Sequence, residues 1–157
     1  MTLSRFERAD DSPGFLLWQL THLWQQRIRS ALAPLSITHV QFVLLTSIAW
    51  LTASEVLVSQ VILSRHAHTD IMMTSEVVRT LEEKGLVTRA VHPRDPRAKV
   101  VSLTAEGQHV VQRAVALVET VDEQFFKDLG EQAPSFVQSM QHLIRVNAQG
   151  STSSDKP

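Results

Sequence analysis

The stretch TDIMMTSEVVRTLEEKG, residues 69–85, runs directly into LVTRAVHPRDPRAKVVSL, residues 86–103, and the pair decides how this chain folds. In the first segment Ile71, Thr74, Val77, Val78 and Leu81 recur at three- and four-residue steps. At about 100° per residue that spacing puts them on one face of a helix. Thr69 or Asp70 supplies the N-cap, since either side chain can accept from the free amides of the first turn. Gly85 ends the helix, because glycine takes a left-handed backbone at little cost. In the second segment two β-prone runs, 86–91 and 100–103, flank the turn-rich loop 92–99 with its two prolines. A helix followed at once by a hairpin with a basic tip is expected.

Working outward, residues 59–66 read as a short helix and 68–69 as a turn, which completes a helix–turn–helix. Upstream of it, Thr38 and Gln41 form a capping box for a helix that is apolar almost all round, with Phe42, Val43, Leu44, Leu45, Ile48 and Ala49. Such a helix belongs at the centre of a core. The segment 15–32 carries Leu17, Leu20, Trp24, Ile28 and Ala31 on one stripe and stops before Pro34. Beyond the hairpin, Thr104 caps a long helix whose stripe is Val110, Ala114, Leu117, Val121 and Phe125. Gly130 breaks it, and Pro134 stands near the start of a last helix with Phe136, Val137, Met140, Leu143 and Ile144.

The expected fold is mainly α with a small β-hairpin: a winged helix–turn–helix over 36–104, flanked by helical segments 13–33 and 105–148. These flanking helices carry more apolar surface than so small a unit can cover. A two-fold homodimer is the commonest way to bury it, so they are assigned to dimerisation. The polar, serine-rich tail 149–157 reads as disordered.

Composition narrows the function. The chain has 157 residues, 43% hydrophobic and 20% charged, which suits a folded domain and not a disordered one. It has no cysteine, which excludes disulfides and thiolate metal sites. The polar N-terminus does not resemble a signal peptide, and the longest apolar run, 42–53, is too short to span a bilayer. No membrane association and a cytoplasmic location are expected. The net charge is −1, but positions 62–100 hold seven basic and five acidic residues, against eight and eleven elsewhere. A locally basic segment in an acidic frame fits a DNA reader.

The residues Leu81 to Val87 (L-E-E-K-G-L-V), Asp95 to Arg97 (D-P-R) and Leu103 to Gly107 (L-T-A-E-G) resemble, in order and spacing, the signature of MarR-type transcription regulators. That resemblance implies a homodimer of interleaved terminal helices and two winged lobes on a pseudo-palindromic operator in double-stranded DNA. It implies repression relieved by a small effector, an aromatic compound or organic acid, bound in a crevice between dimerisation and DNA-binding parts. It also gives Asp95 the role of holding the wing arginine, Arg97.

A recognition helix lays its N-terminal half in the major groove. On helix 70–84 the residues off the apolar face are Met72, Glu76, Arg79 and Glu83, with Met73, Ser75 and Thr80 on the flanks; Met72, Met73, Ser75, Glu76 and Arg79 are the candidates for DNA contact. Methionine offers apolar contact to a thymine methyl, serine a hydrogen bond, and glutamate can accept from cytosine N4. Packing against neighbouring helices is the other role open to Met72 and Met73. Glu76 departs from the basic residue common in the family near this position; it either faces a cytosine, is solvated, or pairs with Arg79, as Glu83 can with Lys84. On the wing, Arg94, Asp95, Arg97 and Lys99 are the candidates, with arginine suited to a narrow minor groove.

Other chemistry finds no footing. The seven histidines show no i, i+4 pair with a carboxylate, so no metal site and no cofactor is expected. Trp18, Trp24 and Trp50 suit core or dimer packing as well as an aromatic-ligand pocket. No nucleophile elbow, phosphate loop or zinc-protease motif is present, so no enzyme is expected. The alternative is a dimeric winged-helix module that binds proteins and not DNA.

Overall fold

A computed structural model describes residues 5–150 of the chain. The described residues form six α-helices: α1 (Pro13–Leu32), α2 (His39–Ala53), α3 (Gln60–Ala67), α4 (Ile71–Glu83), α5 (Ala105–Phe126) and α6 (Ala133–Gly150). The strands β1 (Val87–His92) and β2 (Asp95–Leu103) pair antiparallel between α4 and α5. The chain divides into two compact units, one ending at Val121 and the other beginning at Asp122.

Local signals place most of the element ends. Thr38 and Gln41 exchange hydrogen bonds of 3.2 Å each, side chain to backbone in both directions, and start α2. Asp70, not Thr69, caps α4: its carboxylate accepts from the Met73 amide at 2.8 Å. Thr69 has another task. Its hydroxyl bonds the hydroxyl of Thr74, while the Ser64 hydroxyl donates to its carbonyl, each at 2.8 Å. These contacts stitch the turn of the helix–turn–helix, where His68 lies at φ 52. Gly85, at φ +70, closes α4 with the Gly85 amide on the Glu82 carbonyl and the Leu86 amide on the Leu81 carbonyl.

The core of the first unit is built around α2, whose Leu44, Leu45 and Ile48 are fully buried. Ile28 and Leu32 of α1, Leu63 of α3, and Val78 and Leu81 of α4 close around them. Val87 and Val101 pack the hairpin onto this core, and Val110, Val111, Ala114 and Val118 bring in α5. One residue departs from expectation: Ile71, read as part of the apolar face of α4, remains 45% exposed at the helix start.

The hairpin is longer than expected. β2 begins at Asp95, not at Val100, because the chain turns tightly through Pro93 and Arg94. Val91 pairs with Lys99 and His92 with Asp95, so Pro96, Arg97 and Ala98 bulge out of the ladder. Pro96 has no amide to offer β1, and a bulge re-aims the side chains it carries. The segment before α3 also joins the sheet: Ser59 bridges to Val100, and the Val101 amide donates to the Val58 carbonyl at 2.8 Å.

In the second unit Gly130, at φ 50, interrupts the helical path as expected. α6 follows, and Phe126 packs on Phe136 with ring centroids 6.0 Å apart. Of the tail read over 149–157, positions 149 and 150 close α6, and 151–157 lie outside the described residues.

Candidate nucleic-acid interface

The outer face of α4 carries the residues expected there. Met72 is 81% exposed, the most open of the large apolar side chains described, and Met73 is 38% exposed. Glu76 and Arg79 face solvent, and Ser75 is half-buried. Met72 therefore packs against no neighbouring helix of its own chain. Among the described residues Glu76 makes no ion pair with Arg79.

Two surface depressions flank the first turns of α4. One, of about 460 Å³, is lined by Ser59, Ile71, Ser75, Arg89, Arg97 and Lys99. The other, of about 700 Å³, is lined by Met72, Met73, Ser75, Glu76, Arg79 and Arg89. Ser75 and Arg89 belong to both, so helix and wing form one continuous surface. Its cations are Arg79, Arg89, Arg97 and Lys99.

Three polar links hold that surface in shape; the sequence offered no partner for Arg89 and a different one for Lys84, while Asp95 with Arg97 is the pair that the family resemblance implies. The Arg89 guanidinium on β1 donates through Nε and Nη2 to Glu82 Oε2 on the last turn of α4, the first of these at 2.8 Å. This bonding holds the Glu82 carboxyl below its usual range and raises the Arg89 guanidinium further. Lys84 does not pair with Glu83: its Nζ donates to the Ser36 carbonyl at 2.8 Å and to Gln41 Oε1 at 2.9 Å, which ties the end of α4 to the start of α2. At the wing, Asp95 Oδ1 accepts from the Arg97 backbone amide at 3.0 Å. Among the described residues no ion pair joins the two side chains, so Asp95 fixes the bulge that carries Arg97 and leaves its guanidinium open. Arg94, at the turn, donates its amide to His92 Nδ1 at 3.1 Å.

A profile of the MarR family matches residues 37–99. The chain is 44% identical over 142 residues to an uncharacterized HTH-type transcriptional regulator, YdcH of Bacillus subtilis, across 90% of this chain and 96% of that one. The crystal structure of the MarR family protein Rv2887 of Mycobacterium tuberculosis complexed with salicylic acid is 31% identical, covering 87% of this chain and 99% of that chain with a TM-score of 0.65. This chain belongs to the MarR family. A second structure of Rv2887, complexed with DNA, is 27% identical with a TM-score of 0.64, over 84% of this chain and 97% of that one.

The MarR signature residues have physical roles in this fold. Gly85 and Leu86 lie against the segment from Thr104 to Gly107. The Thr104 hydroxyl donates to the Gly85 carbonyl at 2.7 Å, and the Thr104 amide to the Leu86 carbonyl at 3.0 Å. The same hydroxyl accepts from the Gly107 amide at 2.9 Å and caps α5. A β-carbon on Gly107 would stand 2.0 Å from the Leu86 carbonyl oxygen, so only glycine fits. Two pieces of the motif are one joint, which fixes where α5 leaves the winged helix.

A further cavity, of about 560 Å³, lies between the end of α2, β2 and the start of α5, lined by Ala49, Thr52, Ala53, Leu103, Gln108 and Val111 among others. Trp50 is 71% exposed and Trp24 meets His39 edge-on at 5.1 Å, and neither lines it. Among the described residues there is no cluster of three potential metal ligands, and no single helix is long and apolar enough to cross a membrane.

Proposed function

We propose that this protein is a sequence-specific DNA-binding transcription regulator, acting as a homodimer and repressing until a small aromatic or organic-acid effector releases it. The observation that carries this reading is the single surface formed by the open face of α4 and the bulged wing. Met72, Met73, Ser75, Glu76 and Arg79 face the major groove, while Arg97 and Lys99 reach the adjacent backbone or minor groove. The Rv2887 complex with DNA, at a like fold, supports it. Arg89 joins the sequence-read residues as a lining cation.

The dimer rests on the exposed apolar face of α1, where Leu16, Leu17, Trp18 and Leu23 are 45–65% open in one chain. Val137, Leu143 and Ile144 of α6 are similarly bare. Segments 13–33 and 105–148 are accordingly assigned to dimerisation, 36–104 to DNA. For the effector, the cavity between α2, β2 and α5 is the candidate, and the salicylic acid complex of Rv2887 supports the ligand class.

The test is a titration of the protein against a duplex from the promoter region beside its own gene, with a scrambled duplex as competitor. Specific binding at a stoichiometry of two chains per site is expected, weakened by salicylate. Equal binding to both duplexes, or none, would favour the protein-interaction module. Sedimentation of a stable monomer at micromolar concentration would remove the dimer.

A further inference from the structure

The recognition helix presents two thioethers, in a chain that has no cysteine. Met72 and Met73 occupy the first turn of α4, which the Asp70 cap holds in place through the Met73 amide. Both line the depression of about 700 Å³ together with Ser75, Glu76, Arg79 and Arg89. Met72 at 81% exposure is open to any small solute, and Met73 at 38% is partly so. Met140, on α6, is as exposed as Met73 in one chain but lies on the segment assigned to dimerisation and does not line this depression. We propose that Met72 and Met73 are an oxidant-sensing modification site, at which sulfoxide formation by a hypohalous acid on the free protein keeps it from rebinding DNA. The proposal rests on the reading of α4 as the DNA-reading helix.

The chemistry balances on the oxidant alone. A thioether lone pair takes the halogen of hypochlorous acid, forming a halosulfonium ion and hydroxide. Water then adds at sulfur and chloride leaves with two protons, one of which neutralises the hydroxide. The net change is thioether plus hypochlorous acid to sulfoxide, chloride and one proton. Sulfur loses two electrons and chlorine gains them.

The product suits a switch at this place. An apolar contact to a thymine methyl becomes a strong dipole whose oxygen only accepts hydrogen bonds. It would sit beside Glu76 and against DNA oxygens, with no donor of its own to offer them. The modification requires the free protein, since bound DNA covers the same face. It is reversible by sulfoxide reductases. Oxidant would thus trap the released form without unfolding it, because neither thioether belongs to the buried core.

The test uses the full chain and the promoter duplex described above. Each protein is titrated before and after one to a few equivalents of hypochlorite, and peptide mass spectrometry locates the sulfoxides. The readout is the ratio of the two affinities within each protein, so a variant's starting affinity does not matter. The wild type should lose about ten-fold or more, as for one lost base contact of about 1.4 kcal/mol. A methionine sulfoxide reductase should restore binding. Met72→Leu with Met73→Leu should abolish the loss, and Met140→Leu should leave it intact. An unchanged affinity with sulfoxide present at Met72 and Met73 would overturn the switch, as would an undiminished loss in the double variant. If untreated protein binds no duplex, the regulator reading itself fails, and that outcome is distinct from the other two.

Discussion

Asp95→Ala sets two effects of opposite sign against each other at the wing. The substitution removes a negative charge from the surface proposed to meet phosphates, which should help binding. An exposed charge about 10 Å from a phosphate in water-like surroundings contributes only about 0.4 kcal/mol. Salt reduces that further, since the screening length is about 10 Å at 0.1 M. Against it stands the 3.0 Å bond from the Arg97 amide to Asp95 Oδ1. A hydrogen bond to a charged acceptor contributes about 1.5 kcal/mol at the low end, suited to an exposed site. Without it the bulged residues Pro96, Arg97 and Ala98 lose their tether, and ordering them on DNA costs part of the usual 1–2 kcal/mol per residue, by order of magnitude. The bond outweighs the charge, and binding should weaken by about 1–2 kcal/mol, roughly 5–30-fold. Asp95→Asn keeps the accepting oxygen and loses the charge, so it should bind at least as tightly as the wild type. The assay is a fluorescence anisotropy titration of both variants on one operator at fixed salt. If Asp95→Ala binds as tightly as the wild type or tighter, the tethered bulge is not what positions Arg97.

Arg97→Ala should flatten the slope of log affinity against log salt by about 0.9 if Arg97 meets a phosphate, read from titrations at several salt concentrations. Gly107→Ala drives a β-carbon into the Leu86 carbonyl, and a clash with backbone should cost about 3 kcal/mol or more, lowering the melting temperature by roughly 6–12 °C. Glu82 has its pKa lowered by the Arg89 bond, so the pair's stabilisation is complete above the ordinary glutamate value of about 4.3 and is lost as pH falls through the lowered one. Denaturant unfolding should therefore show Glu82→Gln less stable than the wild type at neutral pH, with the gap closing in acid; a gap that widens in acid would be the wrong sign.

What could be read from the residues alone is what short-range physics decides. Helix ends depend on groups within four residues: Thr38 with Gln41, Asp70 with Met73, Gly85 with its left-handed backbone. The outward face of α4 followed from helical spacing, and Met72 and Arg79 are open as that spacing requires. Ile71 broke the pattern because the first turn of α4 borders an open depression and not the packed core, so an angle that points inward further along finds no core there.

Partners far apart in the chain were decided only by the tertiary structure. The sequence offered Glu83 as a partner for Lys84, yet the Lys84 amine reaches Ser36 and Gln41, more than 40 residues upstream, because α4 ends where α2 begins. Arg89 looked like any strand residue until the hairpin folded back and set it against Glu82 and between both depressions. The bulge at Pro96 depends on which register the ladder adopts, and the need for glycine at position 107 on where the Leu86 carbonyl comes to rest. Periodicity and capping are properties of a chain segment by itself. Salt-bridge choice, strand register and steric exclusion depend on distances between segments, which exist only once the core around Leu44, Leu45 and Ile48 has closed.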